Sequence, residues 1–141
     1  MAIVAIFALV FIYGASFAIR ITHGFSKTAE MPEISIRLQV LNGCGLAGIA
    51  SQMARKIPAL VKMPLEVTIL EVGDFDSYGV KKTFVISRDK DVSQSKAFAE
   101  QLGIKEEVLY RPLQDNYRSL TTTLVIGEDY QMLLETANQE K

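Results

Sequence analysis

Residues 34–57 read ISIRLQVLNGCGLAGIASQMARKI, and this stretch decides the fold. Ile34, Ile36, Leu38 and Val40 alternate with Ser35, Arg37 and Gln39. A period of two puts the apolar side chains on one face of a strand and the polar ones on the other. Asn42-Gly43 ends the strand, because both residue types tolerate turn backbone. From Leu46 the period changes: Leu46, Ile49, Ala50, Met53, Ala54 and Ile57 share one helical face, while Gln52, Arg55 and Lys56 take the wet one. Pro58 is expected to stop this helix, since its ring removes a donor and crowds the preceding turn. A half-buried strand, a glycine turn and an amphipathic helix in succession open an α/β unit.

The same logic runs downstream. A second strand is expected over Leu65–Val72, with Leu65, Val67 and Ile69 inward, followed by the turn-rich loop Gly73–Gly79. Lys82–Ser87 (KTFVIS) reads as a third strand. Asp91 is placed to cap a helix, with Gln94 as its reciprocal partner; Ser95, Phe98, Ala99 and Leu102 form the helix face and Gly103 its left-handed stop. Val108–Tyr110 suits a short strand. Thr121–Ile126 (TTTLVI) is apolar on both sides near its end, which predicts a central strand, and Tyr130–Ala137 suits a short closing helix. The expected fold class is α/β (α+β), a two-layer sandwich with helices packed on one face of a small mixed β-sheet.

Upstream, Ala2–Ile19 (AIVAIFALVFIYGASFAI) carries no charge. A helix of this length spans about 27 Å, close to the ~30 Å hydrocarbon core of a bilayer, and it shows no polar face. The sequence therefore predicts a transmembrane anchor over residues 1–22, a linker over 23–33 and one domain over 34–137. Ser16-Phe17-Ala18 is a small-x-small step, but no basic residue precedes the apolar run, so an uncleaved anchor is the reading favoured over a signal peptide. Arg20, His23 and Lys27 follow the run, and by the positive-inside rule alone they would hold the domain in the cytoplasm.

Composition excludes several functions. The chain has 15 basic and 16 acidic residues, net charge −1, so nothing favours nucleic acid, whose binding rests on clustered Lys and Arg. One cysteine and one histidine allow no internal disulfide and no typical zinc site. Cys44 lacks a base in sight, Asp74 and Asp76 lack calcium-loop spacing, and the scattered tyrosines 78, 110, 117 and 130 read as packing. No catalytic residue, metal ligand or cofactor is expected, and the chain does not read as an enzyme.

Gly43-Cys44-Gly45-Leu46-Ala47-Gly48 matches G-x-G-x-x-G between a strand and a helix, with the acid Glu71 near the end of the next strand. A dinucleotide site is one reading, although strand follows strand after residue 72 where such a fold needs a crossover helix. A structural turn is the second. The third is an anion or polar-glycan contact at the helix N-terminus. Asn42, Gly43, Cys44, Gly45 and Gly48 are thus the candidate ligand-binding residues.

Four stretches resemble the LytR C-terminal domain family: Ile36–Gly48 (IRLQVLNGCGLAG), Gly73–Ser87 (GDFDSYGVKKTFVIS), Lys96–Gly103 (KAFAEQLG) and Leu124–Tyr130 (LVIGEDY). The Asn-Gly-x-Gly turn and the Gly-x-Asp-Tyr ending carry most of the resemblance. It implies an accessory domain of the kind found behind LytR–CpsA–Psr enzymes, which attach polymers to the bacterial cell wall, here without their catalytic domain. It also implies a domain on the outer side of the cytoplasmic membrane, against the flanking charges. The expected function is a non-enzymatic, single-pass module of the bacterial cell membrane that binds a cell-wall or envelope polymer. The alternative is a structural subunit among membrane-protein partners, for which Gly14-Ala15-Ser16 offers a small-residue packing step.

Overall fold

The computed structural model describes residues 34–138. The apolar run Ala2–Ile19 and the linker lie outside the described residues, and no helix among those described is long and apolar enough to cross a membrane. The elements in chain order are β1 (Ile34–Asn42), α1 (Ile49–Leu60), β2 (Leu65–Asp74), β3 (Phe84–Ser87), α2 (Ser93–Gln101), β4 (Leu109–Tyr110), β5 (Thr122–Ile126) and α3 (Gln131–Asn138).

One five-stranded mixed sheet has the order β2-β1-β5-β3-β4. β1 runs parallel to β2 and to β5, β3 is antiparallel to β5, and β4 is parallel to β3. β5 is central, as its apolar character implies, and all five of its residues are buried. The alternation in β1 appears as burial: Ile36, Leu38 and Val40 are fully covered, while Ser35 and Arg37 are exposed.

Helix residues Ile49, Met53, Ile57, Phe98 and Leu133, with Leu102 just past the end of α2, join Ile36, Leu38, Val40, Val85, Leu124 and Ile126 in one apolar cluster. The helices therefore lie on a single face of the sheet, the expected two-layer arrangement. Each large apolar side chain removed from water stabilises the fold by about 1.5–3 kcal/mol. Polar groups in this layer are paired: the Ser95 and Thr122 hydroxyls meet at 2.8 Å.

Some boundaries differ from the sequence expectation. α1 opens at Ile49 because Gly48 holds φ +81° in the left-handed region, leaving Leu46 exposed in the turn. The helix also continues through Pro58 to Leu60. Proline's fixed φ is helical, and so near the helix end it disturbs only the final turn. In α2 the cap position falls on Val92, yet the Asp91 carboxylate still accepts the Ser93 amide at 2.9 Å. The Ser93 hydroxyl, and next that amide, hold the Asp91 carboxyl below its ordinary range. Gly103 stops α2 as expected, at φ +69°, with the Ile104 amide reaching back to Ala99 O.

Candidate functional site

The glycine turn is closed mainly by its own groups. The Asn42 side chain accepts the Gly45 amide at 3.0 Å and the Cys44 thiol at 3.4 Å. Its amide nitrogen donates to Leu46 O and to Asp74 Oδ1. Asn42 is thereby buried with all its capacity engaged inside the fold. The Gly43 amide donates to Ile126 O.

Each glycine has its own reason. Gly43 does not hold a positive φ; a Cβ there would lie 2.8 Å from Val80 and 2.9 Å from Val125, so close approach demands glycine. Gly45 and Gly48 do hold positive φ, and a Cβ on Gly48 would meet open space, so backbone conformation requires glycine there. Glu71 stands opposite Gln39, and its carboxylate lies 3.8 Å from Arg118. The five candidate residues are thus brought together as a turn, and two of the amides a phosphate would use, those of Gly43 and Gly45, already have internal acceptors.

The other recognisable stretches meet beside this turn. The Asp129 carboxylate accepts both the Thr83 amide and the Thr83 hydroxyl at 2.7 Å, and Thr83 Oγ1 accepts the Gly127 amide at 3.0 Å. Gly127 lies so close to the Lys82–Thr83 backbone that a Cβ would approach Lys82 C to 2.5 Å. Val80 bridges the two halves, its amide on Gly43 O and its carbonyl taking the Glu128 amide. Asn-Gly-x-Gly, Lys-Thr and Gly-x-Asp-Tyr are therefore three sides of one structural lock.

The sheet face away from the helices carries a groove of about 440 Å³. Gln39, Leu41 and Ile86 form its floor, Asp74, Phe75 and Asp76 one wall, and Arg88, Arg111 and the run Pro112–Gln114 the other. The edge-on contact of Phe75 with Phe84, ring centres 6.0 Å apart, and the Phe75 amide on Asn42 O fix the acidic wall. The glycine turn thus supports the groove through Asn42, which holds both Asp74 and Phe75.

Arg88 is oriented by a relay. Its Nε donates to Thr123 Oγ1 at 2.8 Å, and Thr123 donates in turn to Gln39 Oε1 at 2.9 Å. Its Nη1 donates to Arg111 O at 2.9 Å. Burial, and next the Arg111 charge, push the Arg88 guanidinium below its ordinary value, while Asp76 pulls it back up. None of these groove residues was singled out for binding from sequence. The usable signal was Thr123, a hydroxyl on a strand expected to be central, which requires a polar partner on the sheet's second face.

Tyr117 is 90% exposed and Tyr78 62%, so they are not packing residues, whereas Tyr130 packs against the core. Among the described residues no cluster of His, Cys, Asp and Glu is arranged to hold a metal ion.

A five-stranded mixed sheet with helices on one face and a groove lined by charged groups on the other defines a small α/β domain. The family model described as LytR cell envelope-related transcriptional attenuator matches residues 35–130, and the chain belongs to this LytR C-terminal domain family. The match runs from β1 to the Gly-x-Asp-Tyr lock and ties the domain to the cell envelope. No curated protein and no solved structure matches the chain.

Proposed function

We propose that this chain is a non-enzymatic, membrane-anchored module of the bacterial cell envelope that binds an envelope polymer on the outer side of the membrane. The anchor rests on the uncharged run Ala2–Ile19, and the envelope setting on family membership. The observation that carries the binding half is the groove of about 440 Å³, which sets the charged groups of Asp74, Asp76, Arg88 and Arg111 beside the apolar side chains of Leu41, Phe75 and Ile86. That mixture suits a polymer of sugar or peptide units, whose rings and backbones present apolar surfaces edged by hydrogen-bonding groups. The ligand meets the groove, and Asn42, Gly43, Cys44, Gly45 and Gly48 act beneath it as the turn that sets the acidic wall.

The test pellets the detergent-solubilised full chain with purified sacculi, with and without their attached polymers. Leu41→Trp, which fills the floor of the groove, serves as the comparison. Saturable binding lost in a folded Leu41→Trp variant is the expected result. A folded protein that stays in the supernatant at high sacculus excess overturns the binding reading, and the structural-subunit alternative then takes its place.

A further inference from the structure

The groove's two walls differ in charge, and the basic wall is incomplete. Arg88 uses Nε and Nη1 on Thr123 and on Arg111 O, so its plane is fixed, yet Nη2 meets no acceptor among the described residues. The Arg111 guanidinium likewise meets none, and it stands close enough to Arg88 for the two charges to repel. A protein gains nothing in stability from holding two like charges together at a half-buried site. The arrangement makes sense once a third, negative group sits between them, because a fork of guanidinium donors matches an oxyanion.

We infer that the Arg88–Arg111 end of the groove is an oxyanion site that takes one phosphate or carboxylate group of the bound polymer. The inference rests on the polymer-binding reading above and names the chemistry of that same groove. Arg88 supplies an oriented donor and Arg111 an exposed charge. The facing wall, Asp74 and Asp76, limits the ligand further. A continuous polyanion lying along the groove would meet those carboxylates. The ligand therefore carries its anionic group at the arginine end and hydroxyl or ammonium groups at the aspartate end. Asp76 already offsets part of the Arg88 charge, so it weakens binding of a bare anion.

The test uses the full chain in neutral detergent micelles, titrated with inorganic phosphate at constant ionic strength, and follows the Arg88 Nε–H resonance by NMR. A saturable shift is expected. Arg111→Met should weaken it about tenfold, and Arg111→Lys, which keeps the charge, only a few-fold. Asp76→Asn should tighten it. Arg111 and Asp76 are both exposed, so these variants do not depend on the core and keep the Arg88 reporter. Phosphate binding unchanged by Arg111→Met, or weakened by Asp76→Asn, overturns the inference.

Sacculus binding separates the two readings. Polymer bound equally well by wild type and Arg111→Met removes the oxyanion site and leaves polymer binding standing. Phosphate bound at Arg88 with no sacculus binding does the reverse. Sacculi stripped of phosphodiester-linked polymer identify the source: lost binding assigns a phosphate, and retained binding that acetate displaces assigns a peptide carboxylate.

Discussion

Replacing Gly127 by alanine places a methyl group 2.5 Å from the Lys82 carbonyl carbon, 2.7 Å from the Thr83 nitrogen and 2.9 Å from Lys82 Cα. All three neighbours are backbone, so no side chain can rotate away, and β5 and β3 must separate where they enter the lock. Overpacking of this kind costs about 1–3 kcal/mol. The separation also stretches the Gly127 amide bond to Thr83 Oγ1 and the two Thr83 bonds to Asp129. Intramolecular hydrogen bonds contribute about 1 kcal/mol each, more when one partner is charged. A loss of about 3 kcal/mol follows, a fall in Tm on the order of 15 °C for a domain near 100 residues. The comparison is Gly48→Ala, where the new methyl meets open space and only the left-handed backbone is strained, at about 1–2 kcal/mol. Urea unfolding of both variants decides it. If Gly127→Ala loses no more stability than Gly48→Ala, the lock is not what holds these strands together.

Gly45→Ala should cost about 1–2 kcal/mol through its φ of +83° and its contact with Tyr78, yet leave polymer affinity unchanged in a pull-down on the folded fraction, because the turn supports the groove without touching ligand. Lys82 is raised above its ordinary 10.5 by its hydrogen bond to Glu106 and then by that carboxylate's charge. A raised folded value means stability that is full below the unfolded pKa and is lost as pH rises through the folded one. Glu106→Gln should therefore remove a loss of stability confined to alkaline pH, seen by comparing thermal melts at neutral pH and above 10.5. Asp91 has the opposite sense: its lowered carboxyl pKa adds stability present above the unfolded value and lost as pH falls through the folded one, so Asp91→Asn should flatten the acid limb of the same profile.

Much of the fold was legible because its signals are local. The alternation of Ile34 to Val40, the helical spacing of Ile49 to Ile57 and the glycine after Leu102 each depend on neighbours within one element. The two-layer arrangement followed from their order, and the central place of β5 from its apolar character. What local reading missed came from distant partners. Gly43 looks like a turn glycine, but Val80 and Val125 make it necessary. Leu46 fits the helical stripe by spacing, yet the conformation of Gly48 leaves it outside the helix. The glycine turn drew attention because its residues are contiguous. The groove escaped notice because Gln39, Asp76, Arg88, Arg111 and Thr123 belong to five separate segments and are ordinary residue types in each.

Gln114 lines the groove and Leu46 stands exposed in the turn, so ligand proximity at these two positions distinguishes the two sites most directly. A photoreactive cross-linker placed at Gln114, on the groove's lip, and separately at Leu46, exposed in the turn, is irradiated with the full chain bound to sacculus fragments. Covalent capture of polymer from Gln114, with little or none from Leu46, is the predicted result. Capture from Leu46 and none from Gln114 would contradict the groove as the binding surface and return the site to the Asn42–Gly48 turn.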